Sequence, residues 1–170
     1  TTAETHDRIM VLEVMGRFAG WIALESAISG GADVALIPEI PYDINKAAEA
    51  INKRKREGKR FSIVVVSEGA MPKDGTASTH SAEGIDAQAG ISVKFGGAGE
   101  KVAKELQELT GLEARCTTLG YMQRGGTPTA YDRVLSTKYG AKAMELALEE
   151  KFGVLTVIQN GHLSYVPLEE

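Results

Sequence analysis

Residues 62–69 read SIVVVSEG, and residues 8–17 read RIMVLEVMGR. Both are short apolar runs that stop at a glycine beside an ionisable side chain, Glu68-Gly69 in one and Gly16-Arg17 in the other. Ile63–Val66 shows no polar alternation. That is the pattern of a strand covered on both faces, and such strands belong to parallel sheets sandwiched between helices. Reading outward from the predicted strands Ser62–Val66 and Arg8–Val14, Gly20–Ser29 is predicted as a helix stopped by Gly30-Gly31. Val34–Ile37 is a further strand ended by Pro38. Asp43 is placed to cap a helix over Ile44–Glu57, whose apolar face is Ile44, Ala47, Ala48 and Ile51. Its last turns carry Lys53, Arg54, Lys55 and Arg56, which suit the negative end of the helix dipole.

Gly69–Gly99 holds seven glycines without clear periodicity and reads as loop with short irregular elements. A helix follows over Glu100–Thr110, with Val102, Ala103, Leu106 and Leu109 on one side. Next come a strand over Glu113–Thr118, the loop GYMQRGGTP at 120–128, and the longest helix, Tyr131–Glu150, with Leu135, Tyr139, Ala143, Leu146 and Ala147 in register. A strand over Leu155–Ile158 closes the series. Strands alternating with helices predict an α/β fold: a mostly parallel sheet with helices on both faces.

The bulk composition narrows the function classes. A chain of 170 residues can bury a real core. Nineteen Lys and Arg against 23 Asp and Glu give a net charge of −4, which argues against nucleic acid as partner. No stretch approaches the roughly 18 apolar residues of a membrane span. The polar start Thr1–Arg8 does not read as a signal peptide. A single cysteine, Cys116, forms no internal disulfide and makes a cytoplasmic setting the default. The chain does not begin with Met, which suggests a processed protein or a piece of a longer one. Glycine is in excess, 19 residues of 170, above the usual ~7%.

Open α/β sheets bind ligands outside the carboxyl ends of their strands. Three predicted strand ends carry related chemistry: Met15-Gly16-Arg17, Ser67-Glu68-Gly69, and Tyr121-Met122-Gln123-Arg124 before Gly125-Gly126. Arginine presents a fork of donors that matches phosphate oxygens. A carboxylate accepts hydrogen bonds from hydroxyls, and glycine lets the backbone approach a ligand. Taken singly, each position is more easily a plain surface or loop residue; together they suit a phosphorylated polyol, most simply a sugar phosphate. Arg8 and Arg115 begin strands instead, at the opposite edge. They are either solvated or paired, or they serve a different crevice that a second subunit would complete. The segment Gly96–Lys101 opens a helix but is neither a Walker loop nor a complete GxGxxG. His6, His80 and His162 lie far apart without ligand spacing, so no metal site is predicted. The basic run Lys53–Arg60 reads as a solvated helix end or, alternatively, an effector-phosphate site.

The stretch RIMVLEVMGRFAGWIALESAISGGADVALIPE, from Arg8, resembles the phosphofructokinase family, and RCTTLGYMQRGGTPTAYDR, from Arg115, resembles that family's second signature. The resemblance implies phosphoryl transfer to the 1-hydroxyl of fructose 6-phosphate in glycolysis. It implies that Met15, Gly16 and Arg17 hold the sugar near its reacting hydroxyl, and that Arg17 is catalytic in neutralising charge on the transferred group. Glu68 would accept from sugar hydroxyls, with Tyr121, Met122 and Gln123 also at the substrate and Arg124 on the 6-phosphate. Arg8 and Arg115 would reach the 6-phosphate of a neighbouring subunit in a homo-oligomer, dimer or tetramer. Asp33 and Lys59-Arg60 match an effector-nucleotide site in part. Tyr121 stands where the short ATP-dependent enzymes usually have His, and Gly69–Gly99 is longer than their counterpart; both resemble the pyrophosphate-dependent or mixed branch. The family's donor loop and TIDN-like catalytic base have no counterpart here, so Mg2+ with ATP or pyrophosphate is expected mainly on a missing half. The expected organisation is a sugar-phosphate-binding domain over 1–130 and, over 131–170, a helix and strands that pack on a donor-binding domain. Two other readings are a stand-alone sugar-phosphate sensor and a nucleotide-binding Rossmann-type domain, the latter without an intact glycine fingerprint.

Overall fold

In a computed structural model, the structure describes residues 2–75, 79–80 and 94–169. Its elements in order are α1 (Thr2–His6), β1 (Ile9–Val14), α2 (Trp21–Gly30), β2 (Val34–Leu36), α3 (Ile44–Arg56), β3 (Ser62–Ser67), β4 (Thr79–His80) and β5 (Lys94–Phe95). They continue with α4 (Ala98–Thr110), β6 (Ala114–Thr118), a 3-10 turn (Gly120–Arg124), α5 (Ala130–Leu148), β7 (Val154–Gln159) and β8 (His162–Pro167). The chain forms two compact units, Thr1–Arg124 and Gly125–Glu170.

The first unit is built on a parallel sheet in the order β2-β3-β1-β6. Alternation along β1 sorts its side chains between two cores. Ile9 and Val11 point to the face covered by α3 and α4, where they meet Val64, Val66, Ala47, Ile51, Val102 and Leu106. Val14 points the other way, to α2, with Val65, Ala23 and Ala27. Helices therefore cover both faces, as the unbroken apolar strands require. Asp43 caps α3, its carboxylate accepting from the Asn45 backbone N–H at 3.0 Å. At α2 the incoming anion is a side chain from across a loop: Glu39 takes the Gly20 N–H at 2.9 and 3.1 Å. Among the described residues, no helix is long and apolar enough to cross a membrane.

In the second unit, α5 opens with a reciprocal capping box between Thr129 and Asp132. Leu146 is buried, while Ala143 and Ala147, expected on its apolar face, are exposed; the buried stripe runs instead through the half-buried Leu135, Tyr139 and Lys142. The final strand does not extend the parallel sheet. It pairs antiparallel with β8 across Asn160-Gly161, both at positive φ (51° and 80°), in a two-residue hairpin.

Other boundaries move little. The helix expected from Glu100 begins at Ala98, Leu109 at its end is exposed, and a 3-10 turn occupies part of the expected 120–128 loop. Within Gly69–Gly99 the short strands β4 and β5 pair antiparallel, and most of that predicted loop lies outside the described residues. Leu106 is fully buried between α4 and the sheet. Leu106→Ala is expected to lower the unfolding free energy by about 2–5 kcal/mol, read from urea denaturation.

Candidate functional site

The carboxyl ends of β3, β1 and β6 lie side by side, and the chain exits from them are laced together. The Gly16 carbonyl accepts from the Ser67 hydroxyl at 2.7 Å and from the Gly69 N–H at 2.9 Å, while the Glu68 N–H reaches the Val14 carbonyl at 2.9 Å. Gly16 sits at φ +142°, and any Cβ there would strike Ser67 Oγ and the Ala19 carbonyl; a Cβ at Gly69 would overlap the Arg17 backbone. These two glycines are thus demanded by close backbone approach. On the other side, Gln123 Oε1 accepts from the Met15 N–H at 3.0 Å and its Nε2 donates to the Gly120 carbonyl at 3.1 Å. That clip holds the 3-10 turn across the end of β1.

The result is a cavity of about 1020 Å³ lined by Met15, Gly16, Arg17, Glu68, Tyr121, Gln123 and Arg124. Seven of the eight residues expected around the substrate therefore share one crevice. The eighth, Met122, points elsewhere at 80% exposure and does not line it. Within the crevice Arg17 Nε lies 3.6 Å from Glu68 Oε1. The two are close enough to orient one another and open enough to release each other to a ligand.

The crevice also contains residues the strand-end argument overlooked: Glu13, Gly96, Gly97, Glu100 and Thr118. Glu13 is the notable one. It continues the α4-facing row of Ile9 and Val11, is 3% exposed, and its Oε2 accepts from the Gly99 N–H at 2.7 Å. A carboxylate at a helix N-terminus answers both the unpaired N–H groups and the dipole there. Gly99 permits the approach, since a Cβ would lie 2.7 Å from Cys116 Sγ and 2.9 Å from Glu13 Cβ. The signal was present in the sequence as one charged residue on the buried parity of an apolar strand. Such a residue needs a partner.

Beneath the crevice, Cys116 has its thiol pushed up to about 11, first by burial and then by the Glu13 charge. Its pKa is higher in the folded than in the unfolded chain, so the folded state keeps a proton that the unfolded state loses. This contribution to stability is intact below the ordinary thiol range and is lost as pH rises toward 11. Alkylation of Cys116 by iodoacetamide at pH 8 should be roughly a hundredfold slower than in the urea-unfolded chain. Equal rates would contradict this packing.

Arg8 and Arg115 lie away from this crevice, at the amino-terminal edge of the sheet, and both engage Glu113. Two of the residues singled out near the basic run, Asp33 and Arg60, are paired as well. Asp33 bridges Arg54 at 2.9 Å and accepts from the Ile63 N–H at 2.9 Å, and Arg60 lies 3.4 Å from Asp7. Among the described residues, no group of three His, Cys, Asp or Glu side chains is placed to hold a metal ion.

An open parallel sheet with an arginine- and carboxylate-lined crevice at its carboxyl ends defines an α/β domain, with the crevice where open sheets of this kind place ligands. The chain belongs to the phosphofructokinase family, whose model (Phosphofructokinase) matches residues 1–147. It is 51% identical over 170 residues to ATP-dependent 6-phosphofructokinase 2 of Clostridium perfringens, covering 99% of this chain and 46% of that protein. It is 44% identical to the pyrophosphate–fructose 6-phosphate 1-phosphotransferase of Streptomyces coelicolor, covering all of this chain and 48% of that one. The phosphofructokinase structure from Saccharomyces cerevisiae superposes with a TM-score of 0.76 at 32% identity, covering 99% of this chain and 21% of that chain. The chain thus spans about half the length of these curated relatives.

Proposed function

We propose that this chain is the fructose 6-phosphate-binding portion of a 6-phosphofructokinase, which phosphorylates the 1-hydroxyl of fructose 6-phosphate to fructose 1,6-bisphosphate in glycolysis. One observation carries the reading: within the segment that matches the family, Arg17, Glu68 and Arg124 converge from three strand ends on a single cavity. Arg124, at the end of the 3-10 turn, takes the 6-phosphate through a charge-assisted fork. Glu68 accepts from sugar hydroxyls. Met15 and Gly16 fix the sugar against the end of β1, and Tyr121 and Gln123 complete the wall, with Met122, also expected at the substrate, outside it. Arg17 lies by the reacting hydroxyl and stabilises negative charge that grows on the transferred group. Arg8 and Arg115 serve the 6-phosphate of a neighbouring subunit, in a dimer or tetramer.

The phosphoryl donor, ATP or pyrophosphate with Mg2+, is held mainly by residues outside this chain, since the family's donor loop and TIDN-like base have no counterpart in this sequence. Residues 1–130 are the sugar-phosphate domain in this reading, and 131–170 pack on the donor-binding domain. The setting is the cytoplasm. The 170 residues alone are expected to bind the sugar phosphate without turnover.

Calorimetric titration tests this. Fructose 6-phosphate and fructose 1,6-bisphosphate should compete for the crevice, and Arg124→Ala should weaken binding about tenfold or more through loss of a charged hydrogen-bond donor. Undiminished binding by Arg124→Ala, or an absence of competition, contradicts the assignment.

A further inference from the structure

At the amino-terminal edge of the sheet, Glu113 lies between Arg8 and Arg115 and gives one oxygen to each. Its Oε2 is 2.6 Å from Arg8 Nε. Its Oε1 accepts from Arg115 Nε at 2.9 Å and lies 2.6 Å from an Arg115 terminal nitrogen, so that fork closes on a single oxygen. The arrangement is imposed by the strands. Ala114 and Cys116 pack into the core under α4, so alternation turns Glu113 and Arg115 to the other face, where both are exposed. The Ile9 N–H donates to the Glu113 carbonyl at 2.9 Å, which brings Arg8 alongside. Hydrogen bonds from Arg8 and then Arg115 hold the Glu113 carboxyl below its usual range, so it is ionised at neutral pH.

We propose that Glu113 is a resident counter-anion that sets the phosphate affinity of the Arg8–Arg115 pair by occupying the guanidinium donors an incoming phosphate would use. The proposal rests on the reading above that these arginines take a sugar phosphate bound to a neighbouring subunit. A carboxylate and a phosphate present the same kind of oxygens to an arginine fork, so they compete for the same N–H groups. Two guanidiniums with Glu113 carry one net positive charge; without it they carry two, the better match to a phosphate monoester dianion. An exposed ion pair is held weakly, so Glu113 lowers the affinity without closing the site.

The test compares fructose 6-phosphate affinity in the intact protein and in three variants. Glu113→Gln keeps length and an acceptor while removing the charge. It should tighten binding about two- to fivefold, the scale of an exposed charge pair, with a larger gain at low than at high ionic strength. Arg8→Ala and Arg115→Ala should weaken binding. If both arginine variants bind as the parent does, the phosphate reading of the pair fails and this proposal falls with it. If they weaken binding while Glu113→Gln leaves it unchanged or lowers it, the counter-anion role alone is overturned. Should Glu113→Gln not fold, Glu113→Ala carries the same expectation under the same criteria.

Discussion

The Gly16 carbonyl, held by the Ser67 hydroxyl and the Gly69 N–H, is the contact on which the crevice depends. It joins the exits of the two central strands at the point where the chain must leave the sheet. Arg17 and Glu68 are the residues immediately beyond, so their 3.6 Å separation follows from backbone geometry more than from their own attraction. The φ of +142° at Gly16 and the overlap that a Cβ at Gly69 would cause restrict both positions to glycine. The Gln123 clip does for β6 what Ser67 does for β3. Through these two ties, side chains from three crossover units reach one cavity.

The sheet and most of the crevice were legible because their signals are local. Ile63–Val66 carries the pattern of a doubly covered strand, and the exits of β1 and β3 are marked by a glycine beside an ionisable residue. What escaped depended on partners far along the chain or on signals passed over. Glu13 stands out only through its partner, the Gly99 N–H of a helix 86 residues later. Met122 was grouped with its neighbours, but a 3-10 turn rotates successive side chains by about a third of a turn, sending it outward while Tyr121 and Gln123 line the cavity. The Asn160-Gly161 turn is a local hairpin signal, and with it the strand over Leu155–Ile158 takes a hairpin partner instead of a place in the main sheet.

Charge in the first unit is balanced in small closed sets. Asp33 answers Arg54, Asp7 answers Arg60, Glu113 answers two arginines, and Glu39 answers the start of α2. A net charge of −4 therefore conceals a surface on which several cations already have anionic neighbours. An anionic ligand arriving at such a surface would meet cations already paired, and would have to exchange with the carboxylate in place.

The ties that shape the crevice span 51, 86 and 108 residues of sequence. None can form until distant parts of the chain have met, and closing loops of that size costs entropy before any contact compensates. High-contact-order assemblies of this kind fold slowly. The crevice therefore exists only once the distant segments that form the central sheet have come together. A ligand that bridges all three strand ends would act on the kinetics as well as the equilibrium, slowing unfolding by holding together the contacts that the chain finds hardest to make.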